Sequence, residues 1–191
     1  MNITTEQVFD NARTHNAFTD QPVSEASLRQ LYDLLKWGPT SANCSPARII
    51  FVSTAQAKAR LLDCMAPGNV DKTRSAPVTA IIGMDMMFFD KLPHLFPHAD
   101  AKAWFVGNQA LIDATAFRNS SLQGAYLMVA ARSLGLDCGP MSGFDAAKVD
   151  VAFWGETSVK TNFICNLGHG VASALFARSP RLSFEEACQI V

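Results

Sequence analysis

The residues able to do chemistry fall in five short clusters. They are Arg13-Thr14-His15-Asn16, Pro39-Thr40-Ser41-Ala42-Asn43, Asn69-Val70-Asp71-Lys72, the stretch Gly139-Pro140-Met141-Ser142-Gly143, and the pair Arg178 and Arg181. They bring guanidinium, ammonium, hydroxyl and amide groups, and the glycine stretch adds backbone N–H groups unencumbered by side chains. Each cluster also has a structural reading. The arginines read as solvated surface, the Thr/Ser run as a turn, and the glycine stretch as a helix stop followed by a loop. Taken singly, none selects a reaction.

Other motifs exclude more than they suggest. His94 and His98 stand four apart, the spacing of two ligands on one helical face, but Pro97 interrupts them. No acidic partner stands at ligand spacing, and zinc needs three or four convergent groups, so no metal site is expected. Gly168-His169-Gly170 begins like a dinucleotide fingerprint, but Ser173 holds the place of its third glycine and no clear helix follows. The chain has no G-x-x-x-x-G-K-[ST] loop and no G-x-S-x-G elbow. A Cys–His nucleophile stays open, without a local signature to support it.

These clusters sit among legible elements. Ser24 caps a predicted helix running to about residue 37, with Leu28, Leu31, Tyr32 and Leu35 on one apolar face and Gly38-Pro39 as its stop. Residues 48–53 (RIIFVS), 77–83 (PVTAIIG) and 160–167 (KTNFICNL) read as strands. Thr54 caps a helix to about residue 65. Residues 84–100, with Pro93 and Pro97, read as an irregular excursion or lid. A long helical pattern runs from about 108 to 134, with a break allowed at Asn119-Ser120-Ser121 or Gly124 and a stop at Gly135. Asp145 caps a short helix to about 153. Ser183 and Glu186 form a capping box for a last helix over 184–190. Helices outnumber strands, which predicts a mixed α/β or α+β domain with a small sheet.

Composition sets the class. The chain has 191 residues, a net charge of −1, 49% apolar and 17% charged residues. A compact chain of this size exposes ~9,000 Å² and buries about 70% of its unfolded surface, so it needs no staple. Sixteen basic residues against 17 acidic ones argue against a nucleic-acid binder. So much apolar content with so little charge points to an oligomer interface. Five cysteines, an odd number without C-x-x-C spacing, argue against a disulfide framework and for the reducing cytoplasm. Met1–Glu6 lacks the features of a signal peptide, and no apolar run reaches membrane-spanning length.

The clusters, laid end to end, resemble the nitroreductase family of FMN-dependent oxidoreductases, and within it the branch of malonic semialdehyde reductases of pyrimidine catabolism. Residues 37–50 (WGPTSANCSPARII) are similar to the family's Pro-Ser-Ser-x-Asn-x-Gln-Pro-Trp segment. Residues 95–100 (LFPHAD), 117–127 (FRNSSLQGAYL), 134–145 (LGLDCGPMSGFD) and 180–187 (PRLSFEEA) are similar to that branch, in order along the chain. Three positions depart from the general family pattern: Ser45, Ala47 and Ser142.

The resemblance implies a single α+β domain over residues 1–191, with a small central sheet surrounded by helices. It implies an intertwined homodimer with exchanged chain ends and FMN at the interface, touched by both chains. Arg13, Thr14, Asn16 and Arg181 match the family's phosphate-side residues, with Arg178 as runner-up. Thr40, Ser41 and Asn43, introduced by Pro39, match the segment along the isoalloxazine and ribityl. Asn69 and Lys72 match the pair near the pyrimidine edge, where Lys72 gives electrostatic support to the reduced ring. Pro140, Met141, Ser142 and Gly143 match the loop near N5. The implied reaction is ping-pong hydride transfer from NADH or NADPH to malonic semialdehyde. The alternatives are a broad nitro, quinone or enone reductase and a flavin-binding protein without turnover. His15, Arg118 and Lys102 are candidate cations for a substrate carboxylate.

Overall fold

The computed structural model describes residues 4–191. Part of the leader argument rests on residues 1–3, which lie outside the described residues. Among the described residues, β1 (Ala47–Val52), β2 (Val78–Asp85), β3 (Asp137–Met141) and β4 (Val159–Gly168) form one sheet in the order β1-β2-β4-β3. Every neighbouring pair is antiparallel. The two central strands are covered on both faces. Ala80, Ile82, Cys165 and Leu167 face one cluster, while Ile81 and Ile164 face the other. That double burial explains why these strands read as unbroken apolar runs rather than alternating ones.

Helices α1 (Glu25–Leu35) and α5 (Gln109–Ser133) cover the first face through Leu31, Leu35, Leu127 and Ala131. Helix α2 (Ala55–Leu62), α6 (Ala146–Val149) and the π-helical turn Asp150–Trp154 cover the second through Leu61, Val149 and Trp154. The caps form as the sequence predicts. Ser24 accepts from the Ser27 N–H, Thr54 from Ala57, Asp145 from Lys148, and Ser183 and Glu186 complete a capping box on α7 (Phe184–Ala187).

Four expectations change. Helix α5 is continuous, because its polar residues find partners without leaving the helix. Asn119 donates to the Thr115 carbonyl and Ser121 to that of Phe117. Gly124 does not break it either. The missing side chain there admits the Phe163 ring, and a Cβ would collide with it. The expected loop at 139–143 is in larger part strand. β3 takes Gly139, Pro140 and Met141, and Pro140 is tolerated because β3 is an edge strand. Residues 67–75, for which the sequence suggests no element, form α3 (Pro67–Ser75), with proline in its first turn. Tyr32 lies outside the apolar face of α1 and is exposed.

The excursion is also better built than expected. β2 runs on to Asp85, and α4 (Leu92–Leu95) with two flanking 3-10 turns encloses a third cluster. Phe88 and Phe105 meet edge to face at 4.9 Å, with Leu92 and Ile112 alongside. From Phe176 onward, by contrast, the C-terminal arm is exposed along its whole length, including Phe176, Leu182, Phe184 and Ile190. The accessible surface is 11024 Å², about 2,000 Å² above the value that size scaling gives a compact chain.

The Phe163 ring against Gly124 gives a direct test of this packing. Gly124→Val should lower the urea midpoint with an unchanged m-value, a loss of about 2 kcal/mol by overpacking.

Candidate functional site

Residues 13–19 run between the outer end of β3 and the start of the arm. Thr14 bridges to Cys138, and the His15 N–H donates to the Cys138 carbonyl at 3.0 Å. His15 Nε2 lies 3.3 Å from Asp137 Oδ1, and Asp137 Oδ2 accepts the Gly170 N–H at 2.8 Å. The imidazole fills the space a side chain at position 170 would take, so the second glycine of Gly168-His169-Gly170 is there to admit a ring of this chain. His15 is 7% exposed and thereby removed from the candidates for a substrate carboxylate. Arg13 is half-buried and donates to the Phe176 carbonyl at 2.5 Å. Thr14 is exposed and Asn16 half-buried.

The two C-terminal arginines behave differently. Arg178 donates to the carbonyls of Asp10 (2.6 Å) and Ala12 (3.1 Å), tying the arm to the N-terminal segment. Arg181 is exposed and reaches only the adjacent carbonyls of Ser179 and Pro180.

At the other end of β3 stands α3. Asn69 Nδ2 donates to the Gly143 carbonyl at 2.9 Å, and the Ala66 N–H donates to the same oxygen at 3.0 Å. A side chain at Gly143 would strike the Asn69 amide, which makes the glycine a condition of this contact. Lys72 is half-buried and one helical turn from Asn69, on the same face. Thr73 Oγ1 points at Met141 Sδ, 3.6 Å away, and Ser142 is exposed. Cys138 to Gly143 is five residues of nearly extended chain, roughly 15 Å. The structure therefore gathers Arg13, Thr14 and Asn16 at one end of this edge, and Asn69, Lys72 and Met141–Gly143 at the other.

The remaining cluster lies elsewhere. Pro39, Thr40, Ser41 and Asn43 lead into β1, the opposite edge of the sheet. Three strand spacings, about 14 Å, separate the two edges. Ala42, Asn43 and Ser45 all have positive φ (49°, 49° and 40°). The Ser45 N–H donates to Thr40 Oγ1 at 3.1 Å, Asn43 Nδ2 to the Leu95 carbonyl at 2.9 Å, and Arg48 to the Ser45 carbonyl at 3.1 Å. Arg48 is itself held by Asp85 at 2.6 Å. Departures from left-handed avoidance gather at functional sites.

Cys44 lies within this turn, and burial pushes its thiol up to about 11. Contact with Cys138 and burial raise Cys165 as well. Both shifts oppose a thiolate nucleophile. Lys102 is paired with Asp90 at 2.7 Å, whereas Arg118 is exposed on α5.

One large cavity holds none of the residues singled out as ligand contacts. It is a cleft of about 1060 Å³ between α1 and the open edge of β1, lined by Arg29, Tyr32, Ile49, Phe51, Lys91 and Gln123 among others. Sequence reasoning also passed over Lys58. Its ammonium donates to the carbonyls of Thr73 (3.1 Å) and Ala76 (2.9 Å) and to Thr79 Oγ1 (2.8 Å), holding the C-terminal end of α3. Nothing in its local pattern distinguishes it from a surface lysine.

Comparison with known proteins identifies the family and the fold. The Nitroreductase family model matches residues 10–169. A protein of Polynucleobacter asymbioticus, provisionally named an NADH dehydrogenase/NAD(P)H nitroreductase, is 61% identical over 186 residues, covering 97% of this chain and 95% of its own. Among solved structures, a provisionally named nitroreductase from Exiguobacterium sibiricum in complex with FMN superposes with a TM-score of 0.88 at 17% identity, covering 100% and 99% of the two chains. An enone reductase of gut-bacterial fatty acid saturation gives a TM-score of 0.85 at 16% identity, covering 100% and 99%. The antiparallel sheet packed between helices is a nitroreductase-like fold, and the chain belongs to the nitroreductase family.

Lys58 supplies a pH test. Burial lowers it from the ordinary 10.5 to about 8. Between these values the folded chain binds fewer protons than the unfolded one, so this residue makes stability rise with pH. The stability of the wild type relative to Lys58→Met should therefore increase from pH 7.5 to pH 10 in denaturant titrations. A difference that stays constant or shrinks contradicts the assignment.

Proposed function

We propose that the chain is an FMN-dependent NAD(P)H oxidoreductase that works as a homodimer and reduces malonic semialdehyde to 3-hydroxypropionate in pyrimidine catabolism. The observation that carries this reading is the β3 edge, with Arg13 and Thr14 at one end and Asn69 and Lys72 against Gly143 at the other. The donor set fits FMN. The cation and hydroxyl of Arg13 and Thr14 suit a phosphate, with Asn16 beside them, and Arg181 on the exposed arm is the further cation this reading assigns to it. Lys72 and Asn69 suit the ring edge that gains negative charge on reduction. The bare backbone of Gly143, in line with Pro140, Met141 and Ser142, admits a flat ring at close range.

Bound FMN supplies a hydride relay, taken from NADH or NADPH and passed to a second substrate in the same open space. The protein's part is positional and electrostatic. Lys72 holds positive charge near the ring edge, and Asn69 keeps the Gly143 carbonyl turned toward α3 and away from the ring. Arg118, exposed on α5, is the remaining unpaired candidate for the substrate carboxylate among the described residues.

Three features support the dimer. Thr40, Ser41 and Asn43 stand at the opposite sheet edge from the other contacts, so a second chain can bring its copy to the same FMN. Leu111, Leu122 and Tyr126 are exposed along one side of α5, and Phe117 is exposed on another. The exposed arm carries apolar residues that the cleft beside β1 can receive from a partner, since an open strand edge is a template for pairing. In this reading residues 1–191 act as one domain. A cytoplasmic location is supported by five free cysteines. No described helix is long and apolar enough to cross a membrane. The partners are small molecules, not nucleic acid.

A second reading, a broad reductase of nitroaromatics, quinones or enones, is favoured by the name of the 61% identical relative. It keeps every proposed flavin contact and changes only the open face. An anaerobic titration separates the two. NADH or NADPH should bleach the yellow absorbance of the reconstituted protein, and malonic semialdehyde should restore it. Bleaching that only a nitroaromatic, quinone or enone reverses overturns the aldehyde. Absence of bleaching leaves a flavin-binding protein without turnover.

A further inference from the structure

The path of residues 39–47 is not one the segment would take alone. Ala42, Asn43 and Ser45 are all left-handed, a conformation that residues with side chains avoid. Two main-chain N–H groups bracket the turn, and both are met by α5. The Ser41 N–H donates to Asn119 Oδ1 at 2.8 Å, and the Ala47 N–H donates to Gln123 Oε1 at 2.8 Å. Asn119 and Gln123 are one helical turn apart and share a face. Asn119 Nδ2 is committed to the Thr115 carbonyl at 2.8 Å, which fixes which way its oxygen points. The helix is anchored behind them, where Asn162 Nδ2 donates to Ser120 Oγ (2.8 Å) and Ser121 Oγ (3.0 Å). Asn119 is 1% exposed and Gln123 6%. Both side-chain oxygens are turned to the main chain of the segment and not to the exposed side chains of Ser41 and Asn43.

We infer that Asn119 and Gln123 are positioning residues of the FMN site, holding Thr40–Asn43 in its left-handed path and so setting FMN affinity without touching the cofactor. The inference rests on reading residues 39–43 as a flavin contact. It also gives work to the run FRNSSLQGAYL, whose polar residues other than Arg118 have no place in the chemistry. Asn119 and Gln123 grip the segment, Ser120 and Ser121 grip β4, and Gly124 makes room for Phe163.

The test measures FMN dissociation constants by flavin fluorescence, and thermal unfolding of the FMN-free chain, for four variants. Asn119→Leu and Gln123→Met remove the acceptor at similar size and leave a main-chain N–H unmatched. Each should weaken FMN by about tenfold or more. Gln123→Glu keeps an acceptor oxygen and should restore affinity to within about twofold of the wild type. Asn162→Leu breaks the anchor to β4 without touching the segment, and should lower the melting temperature while leaving FMN affinity unchanged. Unchanged affinity in Asn119→Leu and Gln123→Met overturns the inference. So does a loss of affinity that merely tracks lost stability across all four variants. A wild-type chain that binds no FMN overturns the flavin reading itself, and the inference with it.

Discussion

The rest of the molecule depends on one constraint: β2 and β4 are apolar on both faces and must be covered on both. Ala80 and Ile82 look one way and Ile81 the other, and Cys165 and Ile164 divide likewise. Helices α1 and α5 take one face, and α2, α6 and the Asp150–Trp154 turn take the other. On β2 and β4 themselves both faces are filled by these clusters. Polar chemistry is displaced to strand ends and to the two sheet edges, and the clusters are found there. Full burial of each Leu or Ile contributes about 2 kcal/mol. The sheet is therefore a stiff frame against which loops can be held in unfavourable shapes.

The displaced residues are held from behind. Lys58 grips the end of α3, Arg48 and Asp85 support Ser45, and the His15–Asp137 pair ties the N-terminal segment to β3 and Gly170. In the proposed reading, this second rank of contacts lets exposed groups such as Thr14, Ser41 and Ser142 meet a ligand in fixed positions. The same arrangement divides the site. One group of proposed contacts occupies the β3 edge and the other the entrance to β1, the division from which the homodimer is proposed.

Much of this was legible in the sequence where local rules dominate. Ser24, Thr54, Asp145 and Ser183 cap as hydroxyl and carboxylate side chains should, and Gly135 ends α5 with φ of 78°. Three strands were legible as apolar runs. β3 was not, because Gly139 and Pro140 signal a turn locally and become strand only through pairing with β4. α3 was hidden by its polar composition, since Lys58 and the Asn69–Gly143 contact hold it from outside. The break allowed in α5 failed for a tertiary reason, the Phe163 ring beneath Gly124. Within the candidate site, the exposed donors were visible by type. Asn119 and Gln123 were visible only as part of a matching run, although two amides four apart on an apolar helix carry the signal of a shared face.

The central claim is that FMN occupies the β3 edge and the residue 39–43 turn, and not the cleft beside β1. Amide hydrogen exchange of the full chain, with and without saturating FMN, tests it most directly. The account predicts slowed exchange in residues 13–16, 40–43, 69–72 and 141–143 together, with Arg29–Tyr32 and Phe51 of the cleft unchanged. Protection confined to the cleft, or absent from the β3 edge, would contradict it.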